Sequence, residues 1–139
     1  MLIAALAVAA AVGLAWRALN GRFRTSPSGR PAPGPANRHR VEPADVGRPL
    51  GERATLLQFS SAFCAPCRAT RVILADIASK TDGVAHVEID AESRLDLVRA
   101  LGVLRTPTMF VLAADGSVAA KASGQPRKAD VLAALGQVL

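Results

Sequence analysis

The chain has 139 residues, which allows one compact domain plus accessory segments; half are hydrophobic, alanine supplies much of that share, and tyrosine is missing. The net charge of +6 is unevenly placed: Arg17 to Arg53 holds eight arginines against Glu42, Asp45 and Glu52, whereas the remainder carries nine basic and eight acidic residues. This argues against a nucleic-acid-binding domain, whose basic patch would lie on the folded part, and makes anionic lipid headgroups the natural partner of the basic segment.

Residues 1–19, "MLIAALAVAAAVGLAWRAL", are apolar except for Arg17. As a helix they would measure about 28 Å, close to the roughly 30 Å hydrocarbon thickness of a bilayer. Trp16 suits the interface, and Arg17 can snorkel into the headgroups. The alternative is a cleaved secretory signal, but no Lys or Arg precedes the apolar run and Trp16-Arg17 follows it. A retained single-pass transmembrane anchor over 1–19 is therefore expected. Arg17, Arg22, Arg24 and Arg30 all follow it, so the charge bias favours the cytoplasmic side for the rest of the chain.

Residues 20–50 read as a linker, with six of the nine prolines (Pro27, Pro31, Pro33, Pro35, Pro43, Pro49) and few apolar residues to offset the entropy of ordering. The expectation is a stiff, partly extended tether. From residue 51 the pattern is that of a domain. "ATLLQF" (54–59) predicts a buried strand, Cys64 to Ser79 a helix with Ile73, Leu74 and Ile77 on one face, and "VAHVEID" (84–90) a second strand. Ser93 with Asp96 resembles a capping box before "RLDLVRALGV". Residues 108–124 predict a hairpin turning at Asp115-Gly116, and Arg127 to Leu139 an amphipathic closing helix. The predicted order is β-α-β-α-β-β-α over 51–139.

The two cysteines of the chain stand together, as Cys64-Ala65-Pro66-Cys67 between the first strand and its helix. A thiol at a helix N-terminus feels free N–H groups and the positive end of the macrodipole, which favours its thiolate. Pro66 falls in the first turn, where its missing N–H breaks no helical bond. Cys67 lies one turn further in, within disulfide reach. Cys64 is then the attacking nucleophile and Cys67 the resolving thiol. Far away, Thr106-Pro107 opens a strand from which proline is normally excluded, and a cis peptide is one solution. Such a loop packed against the cysteines would present the Thr106 backbone to an extended substrate and crowd out a metal ion.

These motifs, "FCAPC" after "TLLQF", "VEID", "RTPT", "DGSV" and "SGQP", together resemble the thioredoxin superfamily over residues 50–139. The resemblance implies an α/β thioredoxin-like fold with a central mixed sheet, and dithiol–disulfide exchange with partner proteins. It also implies Pro107 in cis opposite Cys64, with Phe63, Thr106 and Gly124 at the substrate. Four features depart from the family pattern. Phe63 replaces a tryptophan, Ala65-Pro66 replaces Gly-Pro, Gln58 replaces a buried acid, and His86 replaces its accompanying lysine. Gln58 and His86 are thus candidates for a substituted proton-transfer route, and the family's first strand and helix look truncated or absent.

Two other classes compete with a membrane-tethered thiol–disulfide oxidoreductase. One is a metal-binding module. Structural zinc takes four protein ligands, and His39 and His86 are the remaining soft candidates, so a closed site is not expected; copper(I) on two thiolates stays open. The other is an adaptor with a vestigial dithiol. For the redox reading no cofactor and no resident metal are expected, the partners are protein disulfides and the membrane, and the chain acts as a monomer.

Overall fold

A computed structural model describes residues 2–19, 22–25 and 40–139. Helix α1 (Leu2–Leu19) leads to a short strand β1 (Phe23–Thr25), and a single-turn helix α2 (Pro43–Val46) precedes the domain proper. There β2 (Ala54–Ser60), α3 (Ala65–Ser79), β3 (Val84–Asp90), α4 (Leu95–Ala100), β4 (Thr108–Ala113), β5 (Val118–Ser123) and α5 (Lys128–Leu135) follow. The sheet order is β1-β5-β4-β2-β3. β2 pairs with β3 in parallel and with β4 antiparallel, so the central sheet is mixed.

Alternation along β2 and β4 divides the core. Leu56, Met109 and Val111 meet Leu74 and Ile77 of α3 and Val131 and Leu135 of α5 on one face. Leu57, Phe59, Phe110 and Leu112 meet Leu97 of α4 and Leu101 just after it on the other. All seven residues of β2 are buried. At about 1.5–3 kcal/mol for each large aliphatic or aromatic side chain, these two layers supply most of the driving force.

Four expectations are corrected. Among the described residues no helix is long and apolar enough to cross a membrane, so the span expected over 1–19 is not observed. What exists is an exposed apolar helix: Ile3, Leu6, Val8, Val12, Leu14 and Trp16 all face outward.

The tether is the second. Its prolines at 27–35, together with His39, lie outside the described residues. Its described pieces are docked. β1 pairs with β5, Phe23 packs on the core, and Val41 is buried with its N–H donating to Gly116 O at 3.0 Å. Composition signalled too few apolar residues, but Phe23, Val41, Val46 and Leu50 plus edge pairing suffice to fix short segments.

Third, Ser93 caps nothing. Arg94 is the N-cap of α4, without a side-chain cap bond, and the Ser93 hydroxyl donates back to Asp90 O at 3.0 Å. Asp96 is held instead by the Arg94 guanidinium at 2.9 Å. A capping box does occur at Glu42 and Asp45 of α2. Fourth, the closing helix spans 128–135 rather than 127–139, because beyond Gly136, whose N–H still donates to Leu132 O, the pairing tightens to i→i−3 turns at Gln137 and Val138.

Candidate active site

The end of the sheet formed by the C-terminus of β2 and the start of β4 gathers the chemistry. Chain leaving β2 turns through Phe63, which sits at a φ of 57° and is fully exposed (102%). A positive φ at a bulky residue is uncommon, and here it swings the ring outward so that Cys64 can start the helix. Cys64 is the N-cap of α3, and its Sγ accepts from the Cys67 N–H at 3.2 Å. Pro66 occupies the first turn. The two sulfurs are joined in a disulfide with Cα atoms 5.2 Å apart, inside the range such a bridge requires. Cys64 is half-buried and Cys67 buried.

The Thr106–Pro107 peptide is cis. Its loop is tied down on three sides. Thr106 and Ser61 hydroxyls share a hydrogen bond of 2.7 Å, which links this loop to the cysteine loop. Pro107 O accepts from Gly124 N–H at 2.7 Å, and the Thr108 hydroxyl donates to Arg105 O at 2.7 Å. Gly124 has a φ of 92°, a conformation that a side chain would resist. Three residues before Pro107, Leu104 is 94% exposed, so it and Phe63, next to Cys64, are large apolar side chains in solvent on the two segments that make the site.

Beneath the cysteines lies a polar chain in the α3 face of the sheet. Gln58 is completely buried, and its amide N–H groups donate to Cys67 O and to Ser60 Oγ, both at 2.9 Å. Ser60 Oγ donates in turn to Glu88 Oε1 at 2.6 Å, and Glu88 receives Arg71 through Nε at 2.5 Å and Nη2 at 2.8 Å. The direction of every bond follows from one end. A carboxylate only accepts, so Ser60 must donate to it and must accept from Gln58. Gln58 Oε1 is then the acceptor that faces His86 Nε2 at 3.2 Å, which requires the proton of neutral His86 on Nε2.

Burial lowers the His86 pKa from its ordinary value; Arg71 and Arg48 act the same way, against Glu88. The hydrogen bonds from Arg71, aided by Ser60, lower that of Glu88 despite partial burial.

Of the residues singled out from sequence, Phe63, Cys64, Cys67, Thr106, Pro107 and Gly124 meet at one end of the sheet. Gln58 and His86 lie below, joined to the site through the Cys67 carbonyl. Sequence reasoning missed Ser60, Glu88 and Arg71. The available signal was alternation: Gln58 with Ser60 and His86 with Glu88 stand two apart on paired strands, hence on one face. Among the described residues no group of three His, Cys, Asp or Glu side chains is placed to hold a metal ion.

Comparisons with known proteins agree on one family. The family profile described as Thioredoxin matches residues 47–137. Thioredoxin domain-containing protein 2 of Homo sapiens is 33% identical over 58 residues, which is 42% of this chain and 10% of that protein, so the chain spans about a tenth of this relative's length. Thioredoxin f from spinach chloroplast superposes with a TM-score of 0.59 at 21% identity, covering 73% of this chain and 88% of its own. A mutant thioredoxin from Halobacterium salinarum gives 0.58 at 23% identity, covering 63% and 75%.

Proposed function

The chain belongs to the thioredoxin family, as a thiol–disulfide oxidoreductase, and from that premise we propose that it exchanges electrons with cysteines of partner proteins beside a membrane. The observation that carries the exchange is the Cys64–Cys67 pair bridged at the N-terminus of α3, under the Thr106–Pro107 loop.

In the reducing direction, the Cys64 thiolate attacks one sulfur of a partner disulfide. A mixed disulfide forms, and the first partner thiolate leaves and takes up a proton. Cys67 gives up its proton and attacks Cys64 Sγ, which releases the second partner thiolate. The Cys64–Cys67 bond closes as two electrons and two protons pass to the partner, and the reverse sequence oxidises a partner dithiol. Helix N–H groups stabilise the attacking thiolate.

Phe63, Thr106 and Gly124 receive the partner chain in this reading: Phe63 by its exposed ring, the other two by backbone groups flanking Pro107. Gln58 neither gives nor takes a proton at neutral pH. Its role is to hold the Cys67 carbonyl while His86, with Nδ1 as its basic atom, serves proton balance around the resolving thiol.

Membrane association rests on α1, whose described side chains are apolar on every face and exposed. A helix apolar all round finds its stable surroundings in lipid or in another protein. The arginines that follow it suit anionic headgroups such as those of a cytoplasmic leaflet, and this charge bias is what supports a cytoplasmic domain.

Trapping tests the exchange. Cys67→Ser should accumulate covalent complexes that dissolve on adding a small thiol, Cys64→Ser should form none, and either change should abolish disulfide reduction by the purified protein. Failure of Cys67→Ser to trap partners, with insulin disulfides also untouched by the wild type, would overturn the reading.

A further inference from the structure

We propose that the short strand β1 fixes the domain with its dithiol end toward the membrane, so that the partners are cysteine pairs of membrane proteins lying close to the bilayer surface. This rests on the membrane reading of α1.

Strand register fixes this orientation. Phe23 pairs with Ala122 and Thr25 with Ala120, so β1 enters the sheet beside the end of β5 and runs away from it. The next residue of β5, Ser123, pairs with Thr108, and Thr108 pairs with Phe59. Thr108 follows Pro107, and Phe59 lies five residues before Cys64. The entry point of β1 is therefore at the active-site end of the sheet, and the Asp115-Gly116 hairpin is at the other.

Between the end of α1 at Leu19 and the start of β1 at Phe23 stand only Asn20, Gly21 and Arg22. Even fully extended, that connection reaches no more than ~14 Å. Across the sheet, β1 is separated from β2 by β5 and β4, three strand spacings or ~14 Å. Whatever surface α1 enters is consequently held near the disulfide. A long tether attached at Val41, near the hairpin end, would have no such effect. The strand is held in place by more than its backbone, since Phe23 packs against the α3/α5 core.

Charge agrees with this orientation. Arg22 and Arg127 line one shallow depression on the β1 side, where Asp130 pairs with Arg127 at 2.9 Å, and Arg105 donates to Ser123 O nearby, so cations outnumber the one acid there. Asp90 ends β3 opposite Ser60, so it and Glu92 stand at the same end of the sheet but on the edge farthest from β1. The edge nearest α1 is thus the cationic one, as an anionic lipid surface requires.

The test uses the full chain bound to vesicles of phosphatidylcholine and phosphatidylglycerol that carry a headgroup nitroxide quencher. In a Cys64→Ser/Cys67→Ser background, a bimane fluorophore is attached either through Leu104→Cys, beside the disulfide, or through Ala114→Cys, at the hairpin. Quenching at 104 should exceed that at 114 severalfold; equal or reversed quenching would overturn the orientation. Flotation of the same vesicles separates the premise from the inference. Protein that fails to float removes the membrane reading and this one with it, whereas floating protein without the contrast removes only this one. A flexible Gly/Ser spacer inserted after Leu19 should preserve flotation and flatten the contrast, and an unchanged contrast would overturn the role of the short connection. With active, pre-reduced protein, a peptide disulfide linked to a lipid headgroup should react ~10-fold faster than the same peptide free, through its raised local concentration, and the spacer should erode that advantage. Equal rates would count against bilayer-proximal partners.

Discussion

From Ala54 onward, strands and helices share two apolar layers built from large side chains of both faces of β2 and β4. The described pieces before Gly51 are attached to the rim of that structure by a three-residue strand, buried Val41 with half-buried Val46 and Leu50, and a few polar bonds. The difference separates what makes the fold from what aims it. Loss of a core residue should unfold the domain, whereas loss of a rim contact should release a segment and leave the domain standing.

The largest effect is therefore expected inside. Phe59 is fully buried and meets Phe110 edge-on with ring centroids 5.9 Å apart. Phe59→Ala should cost about 3–5 kcal/mol, read as a lowered urea midpoint at unchanged slope. Removal of residues 1–19 should change the same midpoint by less than about 0.5 kcal/mol, since the described side chains of α1 are exposed. A comparable loss from both would erase the distinction.

A smaller effect should come from Gly116, where the two regions touch. It has a φ of 81°, and a Cβ there would stand 2.1 Å from Val41 O. Gly116→Ala combines backbone strain with expulsion of Val41, for a loss of about 1–3 kcal/mol. Its signature is local: proteolysis near Arg40 and Arg48 should quicken while disulfide reduction persists. Uniform loss of protection across the domain would mean that the rim is part of the core.

The same division explains what the sequence disclosed. Period-two and helical apolar spacing in 54–139 encodes its own burial, so strands, the hairpin turn and the Cys64 helix start were legible. β1 was not, because three residues, Phe23-Arg24-Thr25, carry no period and acquire their conformation from the edge of β5. Val41 looked like one apolar residue in a proline-rich stretch; its burial depends on a glycine 75 positions away. At the site, Cys64, Cys67 and Pro107 stood out by spacing and residue type. Ser60, Glu88 and Arg71 did not, since an exposed-looking Arg on a helix and a Glu in a strand reveal their pairing only once α3 lies over the sheet.

That polar chain offers a comparable, more local loss. Ser60→Ala deletes the link between Gln58 and Glu88 and leaves one amide proton of a buried glutamine without its acceptor, at about 1–3 kcal/mol. Glu88→Gln should cost less, because an amide can still accept from Ser60 on a half-exposed edge. If Ser60→Ala proves neutral in denaturation, water replaces the hydroxyl and Gln58 holds the Cys67 carbonyl without help from Ser60 or Glu88.

The smallest effect is a pH dependence, and its sign is fixed. Burial depresses the His86 pKa, with Arg71 and Arg48 acting against protonation and Glu88 favouring it. The unfolded chain takes up that proton near the ordinary value of about 6.5, the folded chain only lower, so the unfolded state binds more protons in between. Stability should fall as pH drops from about 6.5 to the folded His86 value and then level off. Glu88 adds a second step of the same sign: Arg71 and Ser60 depress its pKa, so its contribution is present above the ordinary carboxyl value and lost as pH falls through the folded one. His86→Gln should flatten the upper step in Tm against pH and leave the lower intact. Persistence of the upper step in that variant would transfer it to another group and free His86 from the neutral Nε2–H form that the hydrogen-bond chain requires.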